Sequence, residues 1–360
     1  MAEKLRAGII GCGGIANGKH MPSFQKTGKA DMVAFCDIVL ERAEKAAEEY
    51  GTADAKVYKD YKKLLEDKTL DMVYVLTPNK SHSFITIDAL ESGKHVMCEK
   101  PMAKTAKEAR DMVAAAKKSG KLLTIGYQTR YFATSQYIKQ SVERGDLGEV
   151  YYAKAHALRR RAVPTWGVFL NEEEQGGGPL IDIGTHALDL TLWCMDNYKP
   201  KSVMGNVYKK LNGNGNCGNA FGPWDPKEFT VEDSAFAFIT MEDGATIQLE
   251  SSWALNLIDA FEAQTTLCGT KAGADMRGEG VRINGDDFGR LYIKNPNTSA
   301  GGVAFYEGES NDPTVTEQMV FINAITKGTP LVVLPEQACV VTEILEAIYN
   351  SSKTGKLVEF

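Results

Sequence analysis

The sequence lacks most of the features that mark secreted, membrane-spanning and nucleic-acid-binding proteins. Its seven cysteines are odd in number, scattered and never spaced as C-x-x-C, which argues against a disulfide framework. No apolar run reaches the roughly 18 residues that a membrane span needs, and the N-terminus shows no secretory signal. The net charge of -6 disfavours a nucleic-acid partner. We therefore expect a cytoplasmic protein that binds neither membrane nor nucleic acid.

Histidine is also scarce, with five residues in the chain, and there is no H-E-x-x-H motif. The sequence therefore predicts no metal requirement, with His156, His186 and nearby carboxylates as the alternative ligand set. His20 and His95 are expected to be structural.

The first third of the chain alternates strand-like apolar runs with helical patterns. The apolar runs lie at residues 5–11, 31–37, 71–77, 94–99 and 121–126. This alternation predicts a parallel sheet with right-handed crossover connections. A chain of 360 residues favours two domains, and we expect the first to span residues 1–126.

From about Tyr127 the pattern changes to a loop, a helix and then runs of strands. Residues 149–161 alternate with period two, which places alanines on one face of a strand and larger side chains on the other. The residues around Glu242-Asp243-Gly244 predict a hairpin. These runs predict an α+β domain with a large, mainly antiparallel open sheet.

We expect this second domain to span residues 127–334. A C-terminal helix at 335–360 is expected to pack back across the domain junction. Within the second domain, residues 209–228 are rich in glycine and asparagine, and they predict a mobile loop, either a plain surface loop or a lid or subunit contact.

A glycine-rich turn, GCGGIA at residues 11–16, joins the first strand to the first helix. Gly11 and Gly13 fit G-x-G-x-x-G/A, in which the first glycine makes the turn and the second admits a pyrophosphate. Asp37 ends the second strand, where a carboxylate binds a ribose 2′-hydroxyl and repels a 2′-phosphate. Arg42 is the nearby cation that would favour NADP instead. The sequence therefore predicts an α/β Rossmann domain that binds NAD through Gly11, Gly13, Gly14, Ile15, Ala16, Asp37 and Arg42.

Two further turns lie at the carboxyl ends of strands, where open α/β sheets bind their ligands. They are TPNKSH at 77–82 and CEKPMAKT at 98–105. Lysine is usually solvated, but a lysine at such a strand end is placed for chemistry. A turn or helix cap is an equally good interpretation of Asn79. The residues expected to contact the cofactor here are Thr77, Pro78, Asn79, His82, Glu99 and Lys100.

The stretch GGGPLIDIGTHALDLTLW at residues 176–193 predicts a mostly apolar helix with one polar stripe. Asp182, His186 and Asp189 share one helical face because residues three, four and seven apart lie above one another. Polar groups among apolar ones need partners or a function. We expect Asp189 to be the structural member of the stripe.

Together and in this order, GCGGIA, TPNKSH, CEKP and GGGPLIDIGTHALD resemble the Gfo/Idh/MocA family of nicotinamide-dependent sugar and cyclitol oxidoreductases. The resemblance covers essentially the whole chain, and E-K-P combined with D-x-x-x-H is its most specific part. It implies that Lys100, Asp182 and His186 surround the reacting carbon as catalytic residues. It also implies that one face of the second-domain sheet joins another subunit, giving a homo-oligomer that is a dimer or larger. AKAHALRRRAVPTWG and the 176–193 helix look like the branch that oxidises the 3-hydroxyl of glucosides.

Oxidation of an alcohol by NAD needs a base, a fixed geometry and polar groups where alkoxide charge develops. His186 is the natural base, since an unperturbed imidazole has a pKa of about 6.5. Lys100 would hold the reacting oxygen, and Asp182 would bind substrate hydroxyls or orient the imidazole. Either Lys100 or His186 can be the main acid/base.

Sugar recognition needs hydrogen-bonding side chains and an aromatic platform. Gln128 is assigned to the cofactor. The arginine run at 159–161 has two alternative interpretations besides substrate binding. It is either a set of exposed arginines at a strand end or part of an ion pair between subunits. The residues expected to bind substrate beside the catalytic three are Arg130, Tyr131, His156, Arg159, Arg160 and Trp166.

These features predict an NAD-dependent dehydrogenase acting on a secondary hydroxyl of a sugar or glycoside, at C3 of a glucoside. One alternative is an inositol or free-sugar dehydrogenase. Another is a glycosidase with transient NAD redox, in which oxidation at C3 acidifies C2–H and permits elimination of the aglycone. A non-enzymatic sugar-sensing regulator is disfavoured because both Lys100 and His186 are present.

Overall fold

The computed structural model describes residues 4–277, 280–299 and 312–360. These residues form two compact units. The first contains the described residues up to Tyr131 together with Asp312–Cys339, and the second contains the others.

The first unit is built on a six-stranded, wholly parallel sheet. Its strands are β1 (Leu5–Ile10), β2 (Ala30–Cys36), β3 (Lys56–Tyr58), β4 (Met72–Val75), β5 (His95–Cys98) and β6 (Leu123–Ile125). Their order is β3-β2-β1-β4-β5-β6, so the winding direction reverses between β1 and β4. Ligands of such sheets bind outside the carboxyl ends of the strands at this reversal. The predicted Rossmann fold is confirmed.

Helices follow most of these strands, and further helices belong to the second unit. In chain order they are α1 (Met21–Thr27), α2 (Leu40–Tyr50), α3 (Tyr61–Leu65), α4 (His82–Glu91), α5 (Ala106–Ser119), α6 (Ala133–Glu143), α7 (Glu172–Gln175), α8 (Thr185–Met195), α9 (Pro313–Lys327) and α10 (Pro335–Thr354). Helix α5 begins with a capping box, in which Thr105 and Glu108 satisfy each other's backbone amides. Short π-helical turns lie at Ala16–His20 and Leu180–Gly184, and 3₁₀ turns at Asn79–Ser81 and Gln128–Tyr131.

Helix α9 belongs to the first unit, although the sequence placed it in the 127–334 range. The reason is its packing on α1, where the hydroxyls of Ser23 and Thr314 lie 2.6 Å apart. Phe321 and Ile322 of α9 also enter the hydrophobic core around the parallel sheet. The chain returns to the first unit at α9 after a long separation in sequence, and such a return leaves no local sequence signal.

The second unit is built on a nine-stranded sheet. Its strands are β7 (Val150–Leu158), β8 (Pro200–Tyr208), β9 (Ser234–Met241), β10 (Thr246–Ser252), β11 (Phe261–Gly269), β12 (Ala272–Arg277), β13 (Gly280–Asp287), β14 (Arg290–Lys294) and β15 (Val358–Glu359). The order is β14-β13-β12-β11-β7-β10-β9-β8-β15, and only the β7–β10 pair among these strands is parallel. The mainly antiparallel sheet and the β9–β10 hairpin with its turn at Gly244 are confirmed.

The period-two sorting of β7 decides which face of this sheet is covered. Ala153, Ala155 and Ala157 are fully buried, and α8 packs on this strand and on β11. Thr191 of α8 lies 2.9 Å, hydroxyl to hydroxyl, from Thr265 of β11. Small alanine side chains permit this close approach, as the alternation predicted.

The predicted helix over 176–193 begins later than expected and is interrupted. A π-helical turn at Leu180–Gly184 precedes α8. The hydroxyl of Ser251 donates to the carbonyl oxygen of Pro179 at 2.7 Å and so competes for an acceptor of the first helical turn. The side chains of Asp182 and Asp189 are buried, and His186 is partly exposed.

The loop at 209–228, which the sequence predicts to be mobile, is held by hydrogen bonds. Trp224 donates from its indole nitrogen to the carbonyl oxygen of Asn212 at 2.8 Å. Asp233 accepts the backbone amide of Leu211 at 2.5 Å. A tryptophan within the loop and an aspartate just after it supply these anchors, which composition alone did not indicate.

Candidate active site

The glycine-rich turn after β1 has open space beside its backbone. Gly11 has a φ of +94°, and a β-carbon there would lie 2.6 Å from the carbonyl oxygen of Leu76. A β-carbon on Gly13 or Gly14 would have no atom within 4 Å. Asn17 closes the turn by donating its amide to two backbone carbonyls of the turn, at 2.9 and 2.8 Å. The open glycine face is the shape that a pyrophosphate requires.

Asp37 ends β2 beside this turn and binds the backbone through both of its oxygens. One accepts the amide of Cys12 and the other the amide of Val39, each at 2.9 Å. A carboxylate oxygen has more than one acceptor site, so Asp37 retains capacity for a ribose hydroxyl. The carboxylate therefore shapes the turn and keeps acceptor capacity at the carboxyl end of β2.

Three more of the predicted cofactor residues are Ile15 and Ala16 in the turn and Arg42 on α2. Ile15 is exposed, Ala16 is fully buried, and Arg42 is exposed on α2. An open glycine face with a carboxylate rather than a cation at the end of β2 fits NAD.

His82 joins the turns that follow β4 and β5. Its Nδ1 lies 2.8 Å from the carbonyl oxygen of Pro101, and its Nε2 lies 2.7 Å from that of Thr77. Burial lowers the pKa of His82, and the two carbonyls act in the opposite direction. The sequence assigned His82 to the cofactor, but its ring nitrogens bind the backbone, so it acts by holding both turns. Pro78 is exposed and Asn79 is buried at the start of its 3₁₀ turn.

A buried ion cluster holds the start of the E-K-P turn. Glu99 Oε1 lies 3.1 Å from Lys19 Nζ and 2.7 Å from His20 Nε2. Lys19 Nζ also lies 3.0 Å from Glu317 Oε2. The second oxygen of Glu99 accepts the backbone amide of Lys100 at 2.9 Å. Glu99, predicted to touch the cofactor, thus fixes the backbone of the predicted catalytic lysine.

The charges in this cluster stabilise one another. Burial alone would raise the pKa of Glu99, but Lys19, His20 and Lys100 hold it well below its usual range. Burial lowers the pKa of Lys19, while Glu317 and Glu99 raise it, and the net shift is upward. The carboxylate of Glu99 therefore stays ionised beside Lys100. No pattern in the sequence indicated Lys19 or Glu317 as members of this group.

The residues after β6 lie in a 3₁₀ turn at Gln128–Tyr131. Arg130, predicted to bind substrate, is fully buried and donates to the carbonyl oxygen of Val332 at 2.8 Å and to Gln337 Oε1 at 2.7 Å. Its guanidinium is used to hold the chain together within the first unit, so we remove Arg130 from the substrate set. Tyr131 is also buried, and Gln128 is partly exposed.

In the second unit Asp182 is positioned by a tryptophan. The indole nitrogen of Trp253 donates to Asp182 Oδ2 at 3.1 Å, and both side chains are buried. His186 follows one turn later at the start of α8 and remains partly exposed. The helical segment therefore carries a fixed carboxylate and a partly exposed histidine.

Glu232 caps the start of this segment. Its carboxylate accepts the backbone amides of Gly178 at 2.8 Å and Leu180 at 3.1 Å, and the hydroxyl of Tyr349 at 2.9 Å. These amides are among those that a helix start leaves without an internal partner. Burial raises the pKa of Glu232, and the hydrogen bonds oppose that shift. Sequence reasoning missed Glu232 because it lies far from the helix along the chain.

The glycine run before the segment is required by this cap. A β-carbon on Gly177 would overlap the hydroxyl of Tyr349, and one on Gly178 would overlap the backbone oxygen of Glu232. The structure explains these glycines by close contact with Glu232 and Tyr349.

The arginine run has separate partners for two of its members. Arg159 pairs with Glu262, with Nε and Oε2 2.6 Å apart, and nearby Asp182 contributes to the raised pKa of its guanidinium. Arg161 donates to Asn256 Oδ1 at 2.9 Å. Arg160 and Trp166 are exposed. Of the predicted arginines, Arg159 is therefore the one shown to lie near Asp182.

His156 lies on the other face of the large sheet. It alternates with the buried alanines of β7 that face α8, and it contacts Glu250 at 3.1 Å. Alternate residues of a strand point to opposite faces, so His156 points away from the face that carries α8. We therefore remove His156 from the substrate set.

Within the described residues, no three His, Cys, Asp or Glu side chains are grouped so that they could hold a metal ion. No helix in that part of the chain is long and apolar enough to cross a membrane.

Comparisons with known proteins match both halves of the chain. Residues 5–127 match the family described as "Oxidoreductase family, NAD-binding Rossmann fold", and residues 135–275 match the "GFO/IDH/MocA C-terminal domain". The chain is 37% identical to D-glucoside 3-dehydrogenase of Escherichia coli (strain K12), covering 99% of this chain and 98% of that protein. It is 30% identical to inositol 2-dehydrogenase of Salmonella typhimurium over 55% of this chain and 57% of that enzyme.

Solved structures share the fold over the whole length. Levoglucosan dehydrogenase in complex with NADH and levoglucosan superposes with a TM-score of 0.84 at 20% identity, covering 99% of both chains. Aldose-aldose oxidoreductase from Caulobacter crescentus gives a TM-score of 0.80 at 24% identity, covering 99% of this chain and 100% of that one. With both domain families matched and a full-length relative at 37% identity, the chain belongs to the Gfo/Idh/MocA family of NAD-binding oxidoreductases.

Proposed function

We propose that this protein oxidises a secondary hydroxyl of a glycoside with NAD, at C3 of a glucoside, to give a 3-oxo-glycoside. The full-length relationship to a D-glucoside 3-dehydrogenase carries the choice of substrate. The geometry supports the chemistry, because Lys100 is fixed at the carboxyl end of β5, on the sheet edge that carries the glycine-rich turn. Asp182 and His186 lie together on the second-unit helical segment.

The proposed mechanism assigns one task to each residue. Gly13, Gly14 and Asp37 would hold NAD, which when bound supplies the nicotinamide that accepts a hydride. His186 takes the hydroxyl proton as the substrate carbon is oxidised. Lys100 stabilises the negative charge that develops on the oxygen.

Asp182 orients the substrate by accepting hydrogen bonds from its other hydroxyls. Trp253 holds that carboxylate through its indole nitrogen, so the acceptor is in place before the sugar arrives.

The proposal is tested with a panel of glucosides, free sugars and inositols, supplied with NAD or NADP. NADH formation is followed by absorbance, and the oxidised carbon is identified by NMR. NADH that matches the yield of 3-oxo-glycoside supports the proposal. Released aglycone without accumulating NADH would instead indicate a redox-assisted glycosidase, and oxidation of inositols alone would contradict the glycoside assignment.

Two substitutions test the residue roles in that assay. Lys100→Ala and His186→Ala should each lower kcat by at least about a hundredfold, since positioned acid–base groups contribute on the order of 10²–10⁴. Both variants should keep NAD binding, measured by titration calorimetry. Asp189→Asn is the matched control on the same helix. If turnover persists in either alanine variant, that residue does not have the proposed role.

We also propose that the protein is a homo-oligomer, at least a dimer, that joins through the face of the large sheet opposite α8. Met204, Phe236 and Phe238 share this face on β8 and β9, and Phe238 is 54% exposed. Exposed apolar patches of this kind mark interaction sites. Light scattering of the wild type should give a multiple of the 39.4 kDa chain mass, and Phe238→Lys should lower it. A monomeric wild type would contradict the proposal.

A cytoplasmic, reducing location is the last part of the proposed function. No disulfide joins the seven cysteines, all of which the structure describes. Burial, first among several causes, raises the pKa of the Cys12, Cys36 and Cys98 thiols to about 12. Cell fractionation tests the location, and recovery outside the cytoplasm would contradict it.

A further inference from the structure

Three aromatic side chains in the second unit form an exposed cluster. Trp166 is 51% exposed and Phe221 is 45% exposed, and their ring centroids lie 4.7 Å apart in an edge-to-face arrangement. Phe169 lies 5.7 Å from Trp166, also edge to face. We call these three residues the Trp166 cluster. Contiguous apolar surface kept in water is typical of a binding site.

The cluster is held in place by hydrogen bonds between two loops. The side chain of Asn219 accepts the amide of Val163 at 2.8 Å and donates to its carbonyl oxygen at 3.0 Å. Thr165 donates from its hydroxyl to the carbonyl oxygen of Phe221 at 2.5 Å. The two segments that carry Trp166 and Phe221 are therefore ordered before any ligand binds, which reduces the entropy lost on binding.

The same hydrogen bonds indicate which kind of ligand group the Trp166 cluster can bind. The amide nitrogen of Asn219 also donates to the carbonyl oxygen of Gly222 at 2.8 Å, so both of its N–H donors are used within the protein. The hydroxyl of Thr165 is likewise occupied with a backbone oxygen. A sugar ring needs donors and acceptors beside an aromatic plane, whereas a flat apolar ring needs only the plane. The geometry of the cluster therefore favours an apolar ring.

Hydrogen bonds through Trp253 connect the segment that precedes the cluster to Asp182. The amide of Ala162, just before the cluster segment, donates to the carbonyl oxygen of Trp253 at 2.8 Å. The indole of that tryptophan holds Asp182 at 3.1 Å. One residue thus fixes both the carboxylate assigned to the sugar and the backbone that leads to Trp166.

We propose that the Trp166 cluster is the subsite for the aromatic aglycone of the glycoside whose sugar is oxidised. This inference rests on the proposed function, since the sugar would occupy the place assigned to Asp182 and His186. An aryl glycoside carries both required parts, a sugar with hydroxyls and a flat apolar ring. A methyl glycoside has the sugar but no aromatic ring, so it leaves the rings of the Trp166 cluster uncovered.

The test compares kcat/KM for phenyl and methyl glucosides, each as the α and β anomer. The measured quantity is the ratio of the phenyl value to the methyl value. We expect the ratio to fall about tenfold in Trp166→Ala, because loss of an aromatic contact of roughly 1.4 kcal/mol is a factor of ten. Phe221→Leu keeps the apolar volume, removes the flat ring, and should shift the ratio in the same direction. Trp166→Phe keeps a ring and should restore most of the ratio.

Phe84→Ala is the matched control. Phe84 is 48% exposed and lies 6.1 Å from the ring of Tyr61, so it is an equally exposed aromatic residue with an aromatic neighbour. It belongs to α4 of the first unit, and its loss should leave the ratio unchanged within about twofold.

The outcomes separate the subsite from the proposed function. If the wild type oxidises no glucoside, the proposed function fails. If it oxidises glucosides but the ratio is the same in the Trp166 and Phe221 variants as in Phe84→Ala, the subsite is wrong and the function stands. If Trp166→Ala lowers the oligomer mass in light scattering while the ratio is unchanged, the cluster is a subunit contact and the subsite is overturned.

Discussion

Replacing Lys19 by methionine should destabilise the protein strongly, because this one ammonium lies between two buried carboxylates. Nζ is 3.1 Å from Glu99 and 3.0 Å from Glu317, and all three side chains are buried. Removing one partner of a buried ion pair costs about 3–5 kcal/mol. Glu99 would retain His20 at 2.7 Å, whereas Glu317 would lose the ammonium that faces it. We therefore expect a loss near the lower end of that range, about 3 kcal/mol.

The measurement is urea unfolding followed by circular dichroism, with Lys63→Met as the matched control. Lys63 also pairs with a glutamate, Glu66 at 2.8 Å, but the two side chains are 64% and 65% exposed. Such a solvent-exposed pair contributes little to stability. Adding Glu317→Gln to Lys19→Met should recover part of the lost stability, because it removes the unpaired charge. Equal stability of Lys19→Met and Lys63→Met, or no recovery in the double variant, would refute this account.

Two further predictions concern the glycine run that contacts Glu232 and the buried carboxylate of Glu99. Gly178→Ala should lower the free energy of unfolding by about 1–3 kcal/mol, because its β-carbon would overlap the backbone oxygen of Glu232. The control in the same urea assay is Gly13→Ala, because a β-carbon at Gly13 has open space around it. The pKa of Glu99 is depressed on folding, so the stability it contributes is present above its unfolded value of about 4.3 and is lost as the pH falls below it. Thermal unfolding between pH 7 and pH 3 should therefore show a decrease in Tm that is smaller in Glu99→Gln, and identical pH profiles would contradict this role.

Local patterns in the sequence predicted most of the fold. Alternation of apolar runs with helical patterns indicated the parallel sheet, and GCGGIA at its first turn indicated the nucleotide site. Period-two sorting in residues 149–161 predicted the alanine face that carries α8. These features depend on neighbours along the chain, so they can be read before any tertiary contact is known.

The site could be predicted only in part, since residue types and strand ends locate a side chain without giving its partners. Arg130 and His156 were reasonable sugar ligands by type. The structure places the first in the interior against Val332 and the second on the opposite face of the sheet. These positions argue against both assignments, and sequence could not indicate them because burial and sheet face are set by packing.

The sequence by itself determined the Rossmann fold, the mainly antiparallel second sheet and the polar stripe of Asp182 and His186. Tertiary structure alone decided what holds those groups. Lys19 meets Glu99 across 80 residues, and Glu232 reaches Gly178 across 54. Such contacts leave no periodic signal, because they form only when distant segments pack. Their energetic importance comes from burial, which makes an unpaired charge or amide costly.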